Sequence, residues 1–282
     1  MKDIHVSRII PVVKRLCIEA NYDLDADVIA KIQEFSEQEE SPVAKEILAI
    51  LLENYRLAAR ERMPICQDTG MAVVFLELGQ DVHVIGGDLY AAIHEGVRQG
   101  YREGYLRNSM VTDPVILRKN TNDNTPALIH TEIVPGEAMT LTVMPKGGGA
   151  ENMSAISMLK PADGIEGVKE FVVDRVRRSG GNPCPPVIVG VGLGGSFEHS
   201  ALLAKKALLR PLTVKNPDPV YAAVEQELLE RINRLGIGPQ GLGGRTTALA
   251  VLMLHQPCHI ASMPVAVNIQ CHAHRHKSAV IK

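Results

Sequence analysis

At Met71 the sequence changes rhythm, and that change bounds the fold more tightly than any other feature. Across residues 5–60 apolar positions recur at spacings of three and four, the mark of helices with one buried face. Asp23 or Asp25 is placed to cap a second helix, and Ser41 followed by Pro42 has the order of an N-cap and first turn. From Met71 the apolar residues gather in shorter runs, AVVFLEL, then ALIHTEIV and MTLTVMP, with the alternation or β-branched richness of strands and Gly or Pro between them. DLYAAIHEGVRQGYREG, between the first two runs, is helical in pattern. Beyond Gly164 a helix (IEGVKEFVVDRVRRSG) stops at a Gly-Gly pair, and a buried strand (PVIVGVG) follows. Two helices (FEHSALLAKKALLRP and YAAVEQELLERINRLG) and two strands (TALAVLML and PVAVNIQ) complete the pattern. These elements predict a mixed α/β fold, with an N-terminal helical lobe over residues 1–60 packed on a mixed-sheet α/β body. Neither a repeat nor a low-complexity linker interrupts it, so residues 1–282 read as a single domain.

With 45% hydrophobic and 22% charged residues the chain can bury a real core, which excludes a disordered or fibrous protein. The formal net charge is -2 and the Lys and Arg residues are dispersed, so no broad basic surface is available for nucleic acid. No apolar run approaches the roughly 18 residues of a membrane span. The N-terminal MKDIHVSRIIPVVKRLC is broken by charges and by Pro11, unlike a secretion signal, which predicts a cytoplasmic protein. Five cysteines in a chain of this size, without a secretory context, point to thiols, metal ligands or catalysis rather than a disulfide framework.

Three of those cysteines lie on loop-like segments. Cys66-Gln67-Asp68-Thr69-Gly70 presents a thiol, an amide and a carboxylate together on a turn; the plain alternative is an Asp-Thr-Gly turn beside a merely buried cysteine. Cys184 sits in Asn182-Pro183-Cys184-Pro185-Pro186, where the prolines fix φ and predict a rigid extended loop. Cys271 ends the last apolar run and precedes His272-Ala273-His274-Arg275-His276, where cationic neighbours favour a thiolate. Three dispersed thiolates can ligate three irons of a [4Fe–4S] cube and leave the fourth open for Lewis-acid chemistry, whereas an electron-transfer cluster usually shows four cysteines, some closely spaced. A structural zinc site could instead draw on Cys258-His259 with the Cys271 group, although adjacent strand residues point to opposite faces. For His274 and His276 the plain reading is a solvated tail.

Three further motifs carry possible chemistry. Gly190-Val191-Gly192-Leu193-Gly194-Gly195 fits the dinucleotide fingerprint G-x-G-x-x-G, but the acidic residue expected about 20 positions later is missing, and the glycines read better as allowing close backbone approach near such a cluster. Lys146-Gly147-Gly148-Gly149-Ala150-Glu151-Asn152 follows a strand and suits either an anion nest or an ordinary loop. Arg107, in Leu106-Arg107-Asn108-Ser109, is a candidate carboxylate clamp, because guanidinium pairs bidentately with carboxylate.

Taken together, CQDTG, LRNS, MPKGGGAENMS, NPCPPVIVGVGLGGSFEHSALLAKKALLRP, RLGIGPQGLGG and PVAVNIQCHAHR resemble, in order and from about residue 10 to residue 275, the α subunit of class I iron–sulfur fumarases and related tartrate dehydratases. The resemblance implies that Cys66, Cys184 and Cys271 hold a [4Fe–4S] cluster with one iron lacking a protein thiolate. It places Gln67, Asp68 and His259 at catalytic positions and Arg107, Gly147, Gly148 and Gly149 at substrate-binding ones, leaving Cys17 and Cys258 structural. It further implies a β subunit that carries the rest of the active site in a doubled αβ assembly. The Lys-Gly-Gly-Gly-Ala-Glu-Asn form is closer to fumarases, so interconversion of fumarate and L-malate is the expectation, with tartrate or another dicarboxylate as the alternative. A non-catalytic iron or redox sensor on the same fold is the more distant one.

Overall fold

The computed structural model describes residues 1–282. In chain order its elements are β1 (Lys2–His5), α1 (Val6–Tyr22), α2 (Ala26–Gln38), α3 (Pro42–Glu61), β2 (Met71–Gly79), β3 (Val82–Ile85) and α4 (Leu89–Glu103). There follow β4 (Leu128–Val134), β5 (Met139–Lys146), α5 (Gly148–Glu151), β6 (Ala155–Leu159), α6 (Gly164–Ser179) and β7 (Val187–Gly195). The chain closes with α7 (Phe197–Ala207), α8 (Pro219–Asn233), β8 (Ala248–Cys258), β9 (Met263–Gln270) and β10 (Lys277–Ile281). The mixed α/β expectation holds. The chain forms two compact units, one of Met1–Asp25, Asn54–Gly148 and Arg275–Lys282, the other of Ala26–Glu53 and Gly149–His274. The helices expected over residues 5–60 are all present, but α1 belongs to the first unit, α2 to the second, and the boundary falls inside α3.

The first unit is built on a sheet of order β10-β5-β2-β4. β2 and β4 are parallel, which a tight turn cannot connect, and α4 makes the crossover. Asp88 caps α4, its carboxylate accepting from the Ala91 N–H at 2.7 Å. Ile9, Val13 and Leu16 of α1 and Ile93 and Val97 of α4 form the core with Val74, Leu76, Leu141 and Val143 of the sheet. The two helices approach closely because Gly96 and Gly100 have no side chain: a Cβ on Gly96 would stand 2.6 Å from the Val13 Cβ. β10 pairs antiparallel with β5, so the terminal His-rich run leads into a sheet. His274 is buried and His276 half-buried, which corrects the solvated-tail reading of both.

In the second unit the order is β6-β9-β7-β8, with β7 parallel to β8 and antiparallel to β9. β7 is apolar throughout because both its faces are covered. Val187, Val189, Val191 and Leu193 pack with Val172 and Val176 of α6 and Leu228 and Ile232 of α8. The alternate positions Gly190 and Gly192 meet α7, where an added Cβ would fall 2.1 Å from the Ala204 carbonyl oxygen and 2.0 Å from that of Ser200. The period of two along a strand therefore explains the glycine spacing: close approach of α7 to β7, not a phosphate loop. No helix is long and apolar enough to cross a membrane.

Candidate active site

Residues 66–70 turn sharply between α3 and β2 in the first unit. Gly70 has φ +72°, and a Cβ there would lie 2.6 Å from the Lys146 carbonyl carbon, so only glycine fits. The turn is stitched to its surroundings through nearly every polar group. Asp68 accepts from the Gly70 N–H at 3.1 Å with one carboxylate oxygen and from the Gly148 N–H at 2.8 Å with the other. Thr69 Oγ1 accepts from the Arg107 N–H at 2.9 Å. Tyr101 donates its hydroxyl to the carbonyls of Thr69 and Gly70, at 2.9 and 3.0 Å, and Asn124 Nδ2 donates to the Gly70 carbonyl at 3.1 Å. Burial holds the Tyr101 pKa well above the usual tyrosine value, so this hydroxyl stays a donor.

Cys66, Gln67, Asp68, Arg107, Gly147 and Gly148 are all in this unit. The Cys66 thiol is half-buried, points at Gln67 Oε1 across 3.2 Å, and accepts from the Asp68 N–H at 3.4 Å. Gln67 and Arg107 are exposed. In the glycine turn the Gly148 N–H donates to the Asp68 carboxylate, and a Cβ on Gly147 would crowd that carboxylate at 3.0 Å.

Gly149, Cys184, His259 and Cys271 belong to the second unit. Cys184 is exposed and has φ +54°, a left-handed conformation at the close of a turn after α6, where an extended loop was expected. Its N–H donates to the Gly181 carbonyl at 3.1 Å, and its carbonyl accepts from the His272 N–H at 3.3 Å. Cys184 and Cys271 thus stand at one end of the sheet, just outside the pairing of Ile188 with Gln270. Behind Cys184, Gln240 donates its backbone N–H and its Nε2 to the Pro185 carbonyl, at 2.7 and 3.0 Å. The Gly-rich segment carrying Gln240 is anchored by Glu39, whose carboxylate accepts from the Thr246 hydroxyl and from the Thr246 and Arg245 N–H groups. Burial works to raise the Glu39 pKa, but these bonds and that from Ser41 bring it down to about 2.

His259 is not brought to Cys184 and Cys271. It lies on the exposed turn between β8 and β9, where its Nδ1 accepts from the Ala261 N–H at 3.1 Å. The eight residues of β9, about 23 Å of strand, separate that turn from Cys271. The same separation takes Cys258 and His259 away from the Cys271 group and removes the zinc arrangement; no group of three or more His, Cys, Asp or Glu side chains is placed to hold a single metal ion. A cleft of about 1090 Å³ beside α6 and α8, lined among others by Glu166, Phe171 and Arg231, contains none of the predicted site residues.

No disulfide joins any of the five cysteines. Cys17 is fully buried in the α1 face, where desolvation pushes its thiol up to about 12 and makes it useless as a thiolate ligand. Cys66, Cys184 and Cys271 are each at least partly exposed. Soft thiol donors such as these, one with an amide N–H aimed at its sulfur, suit iron and sulfide rather than a hard cation.

The family model for Fumarate hydratase (Fumerase) matches residues 10–280. The chain belongs to the Fumerase family. It is 41% identical over 280 residues to the putative L(+)-tartrate dehydratase subunit alpha of Methanocaldococcus jannaschii, covering 98% of each chain. It is 34% identical over 257 residues to the L(+)-tartrate dehydratase subunit alpha of Escherichia coli O157:H7, covering 90% of this chain and 84% of the relative. Several residues of the Fumerase motifs prove to be braces. Glu151, from the glycine motif, pairs with Lys205 at 2.5 Å and accepts from Asn268 Nδ2 at 2.9 Å. Asn268 also donates to Ser154 Oγ at 3.0 Å. These four residues tie α5, α7 and β9 together. Tyr101, Asn124, Glu39 and Arg275, which support the two turns, have no distinguishing spacing in the sequence, and of the four only Arg275 falls inside a Fumerase motif.

Proposed function

We propose that this Fumerase-family chain is the α subunit of a hydro-lyase acting on a small hydroxy dicarboxylate, L(+)-tartrate in the first place. The observation that carries this reading is the turn at residues 66–70, where an accessible thiol and a carboxylate fixed by two backbone amides share one short segment beside Arg107. The names of the relatives favour tartrate over the fumarate preference drawn from the Lys-Gly-Gly-Gly-Ala-Glu-Asn motif. Fumarate and L-malate remain the second reading, supported by the family description.

Cys66, Cys184 and Cys271 would hold a [4Fe–4S] cluster; when bound, it supplies a Lewis-acidic iron without a protein thiolate, which polarises the substrate hydroxyl. The chain's own residues do the rest of this half of the chemistry. Arg107, exposed and tied by its backbone to Thr69, clamps a substrate carboxylate through its guanidinium. Asp68, held in one orientation, hydrogen-bonds the substrate hydroxyl and relays to it the proton with which it departs as water, and Gln67 orients that hydroxyl. The glycine turn acts through Asp68. His259, at the far end of the sheet from Cys184 and Cys271, is left out of this scheme. Proton abstraction from the neighbouring carbon falls to a β subunit, in keeping with the α-subunit names of the relatives.

The test is a substrate panel on the αβ complex prepared without oxygen. Loss of water from a 2,3-dihydroxy dicarboxylate gives an enol that becomes a 2-oxo acid, which is measured directly beside fumarate absorbance. A kcat/KM for L(+)-tartrate at least about ten-fold above that for L-malate is expected, a difference one hydrogen-bonded hydroxyl readily supplies. The reverse ratio establishes the fumarate reading, and a cluster-loaded complex that turns over neither acid supports the sensor.

A further inference from the structure

Arg275 was given no role by its motif, yet its guanidinium lies directly behind the turn that carries Asp68. The side chain is only 2% exposed. Its Nη2 donates to the main-chain carbonyl of Asp68, while Nε and Nη1 find no hydrogen-bond partner. A guanidinium stays charged at any pH the protein survives, and burying one costs several kcal/mol unless nearby groups compensate it. Such a residue is poorly explained as packing, since an apolar side chain of equal volume would be cheaper to bury. Its one guanidinium hydrogen bond fixes the carbonyl of Asp68, the residue whose carboxylate gathers the Gly70 and Gly148 amides. The Tyr101 hydroxyl feels the charges of both Arg275 and Asp68, which places the two groups in one electrostatic neighbourhood.

We propose that Arg275 is a positioning residue for the site: by holding the Asp68 carbonyl it fixes the peptide of the 66–70 turn and so aims the Asp68 carboxylate. This rests on the reading of Asp68 as a site residue, but not on the identity of the substrate. A planar guanidinium anchored at one nitrogen resists rotation of the turn in a way that a flexible ammonium does not.

The test is amide hydrogen exchange on the full-length chain, followed by kinetics of the αβ complex. In Arg275→Met the Gly70 and Gly148 amides, both donors to Asp68, are expected to exchange about ten-fold faster, the equivalent of losing one charge-assisted hydrogen bond. The Val74 and Leu141 amides in the neighbouring strands are expected to keep their protection. In the complex kcat should fall about ten-fold with KM changed far less, since Arg107 is untouched. Should Arg275→Met fail to fold, Arg275→Lys carries the test: it keeps the charge but not the rigid fork, and should deprotect the same two amides to a smaller degree. Unchanged exchange at Gly70 and Gly148, or a uniform rise across β2 and β5, would overturn the proposal. Because exchange is read without substrate, its outcome is independent of whether tartrate or fumarate is the better substrate.

Discussion

The backbone N–H of His272 donates to the carbonyl of Cys184 at 3.3 Å. Residues 88 positions apart in sequence, 272 against 184, are thereby joined by one bond, which sets Cys271 beside the Cys184 turn at the same end of the second unit's sheet. Neither loop could be aimed this way alone: β7 and β9 lie antiparallel, so the start of one and the end of the other must coincide.

Asp68 is the most sharply oriented of the proposed catalytic groups. Asp68→Asn keeps one acceptor oxygen for a backbone amide but loses the charge and the capacity to take a proton. The expected outcome is a folded chain whose αβ complex loses 10²- to 10⁴-fold, roughly, in kcat, the usual worth of a positioned acid–base group. Unchanged thermal unfolding with collapsed turnover would check this; near-normal turnover would remove Asp68 from the chemistry.

Glu39 makes the second unit sensitive to acid. Its folded pKa of about 2 lies below the ordinary carboxylate value of 4.5, so its contribution is present in full above pH 4.5 and fades as pH falls toward 2. A shift of that size corresponds to about 3 kcal/mol. Glu39→Gln should therefore lower stability at neutral pH and flatten the decline between pH 5 and 2, as followed by denaturant melts at a series of pH values. A variant with the wild-type slope would show that the Thr246 and Arg245 bonds contribute nothing.

Gly192 tests the packing of α7 on β7. A methyl group placed 2.0 Å from the Ser200 carbonyl oxygen must displace the helix backbone. Gly192→Ala is expected to cost about 3 kcal/mol or more, at or beyond the upper end of overpacking in a tight core. Unfolding by urea measures it, and a loss below about 0.5 kcal/mol would contradict the close approach.

Much of this fold was legible in the sequence because burial writes itself as period. The two-sided apolar run of β7 and the three-and-four spacing of α1 to α4 both repeat a local rule. β1, β3, β6 and β10 were missed because they are short strands without alternation long enough to read. The turn at 66–70 was legible from its polar residues and glycine, but its brace was not: Tyr101, Asn124 and Arg275 act across 31 or more residues, and no spacing rule reaches so far. His259 shows the reverse limit. Its motif gave it a catalytic position, and the strand register adds a fact no motif carries: it lies at the other end of the second unit's sheet from Cys184 and Cys271.

An iron that no protein thiolate holds is the first to leave. Exposure of the αβ complex to air with a chelator should abolish turnover while circular dichroism stays unchanged, and iron with sulfide and a thiol reductant should restore it. Activity surviving that treatment would exclude the proposed cluster from the reaction.

The most direct measurement is iron and sulfide content of the complex, prepared without oxygen, for the wild type and for single Cys→Ser changes at positions 66, 184, 271 and 258. About four irons per αβ pair are expected for the wild type and for Cys258→Ser, with loss of most iron in each of the other three. Equal iron in all four variants, or none in the wild type, would contradict the assignment of Cys66, Cys184 and Cys271 as the cluster's ligands.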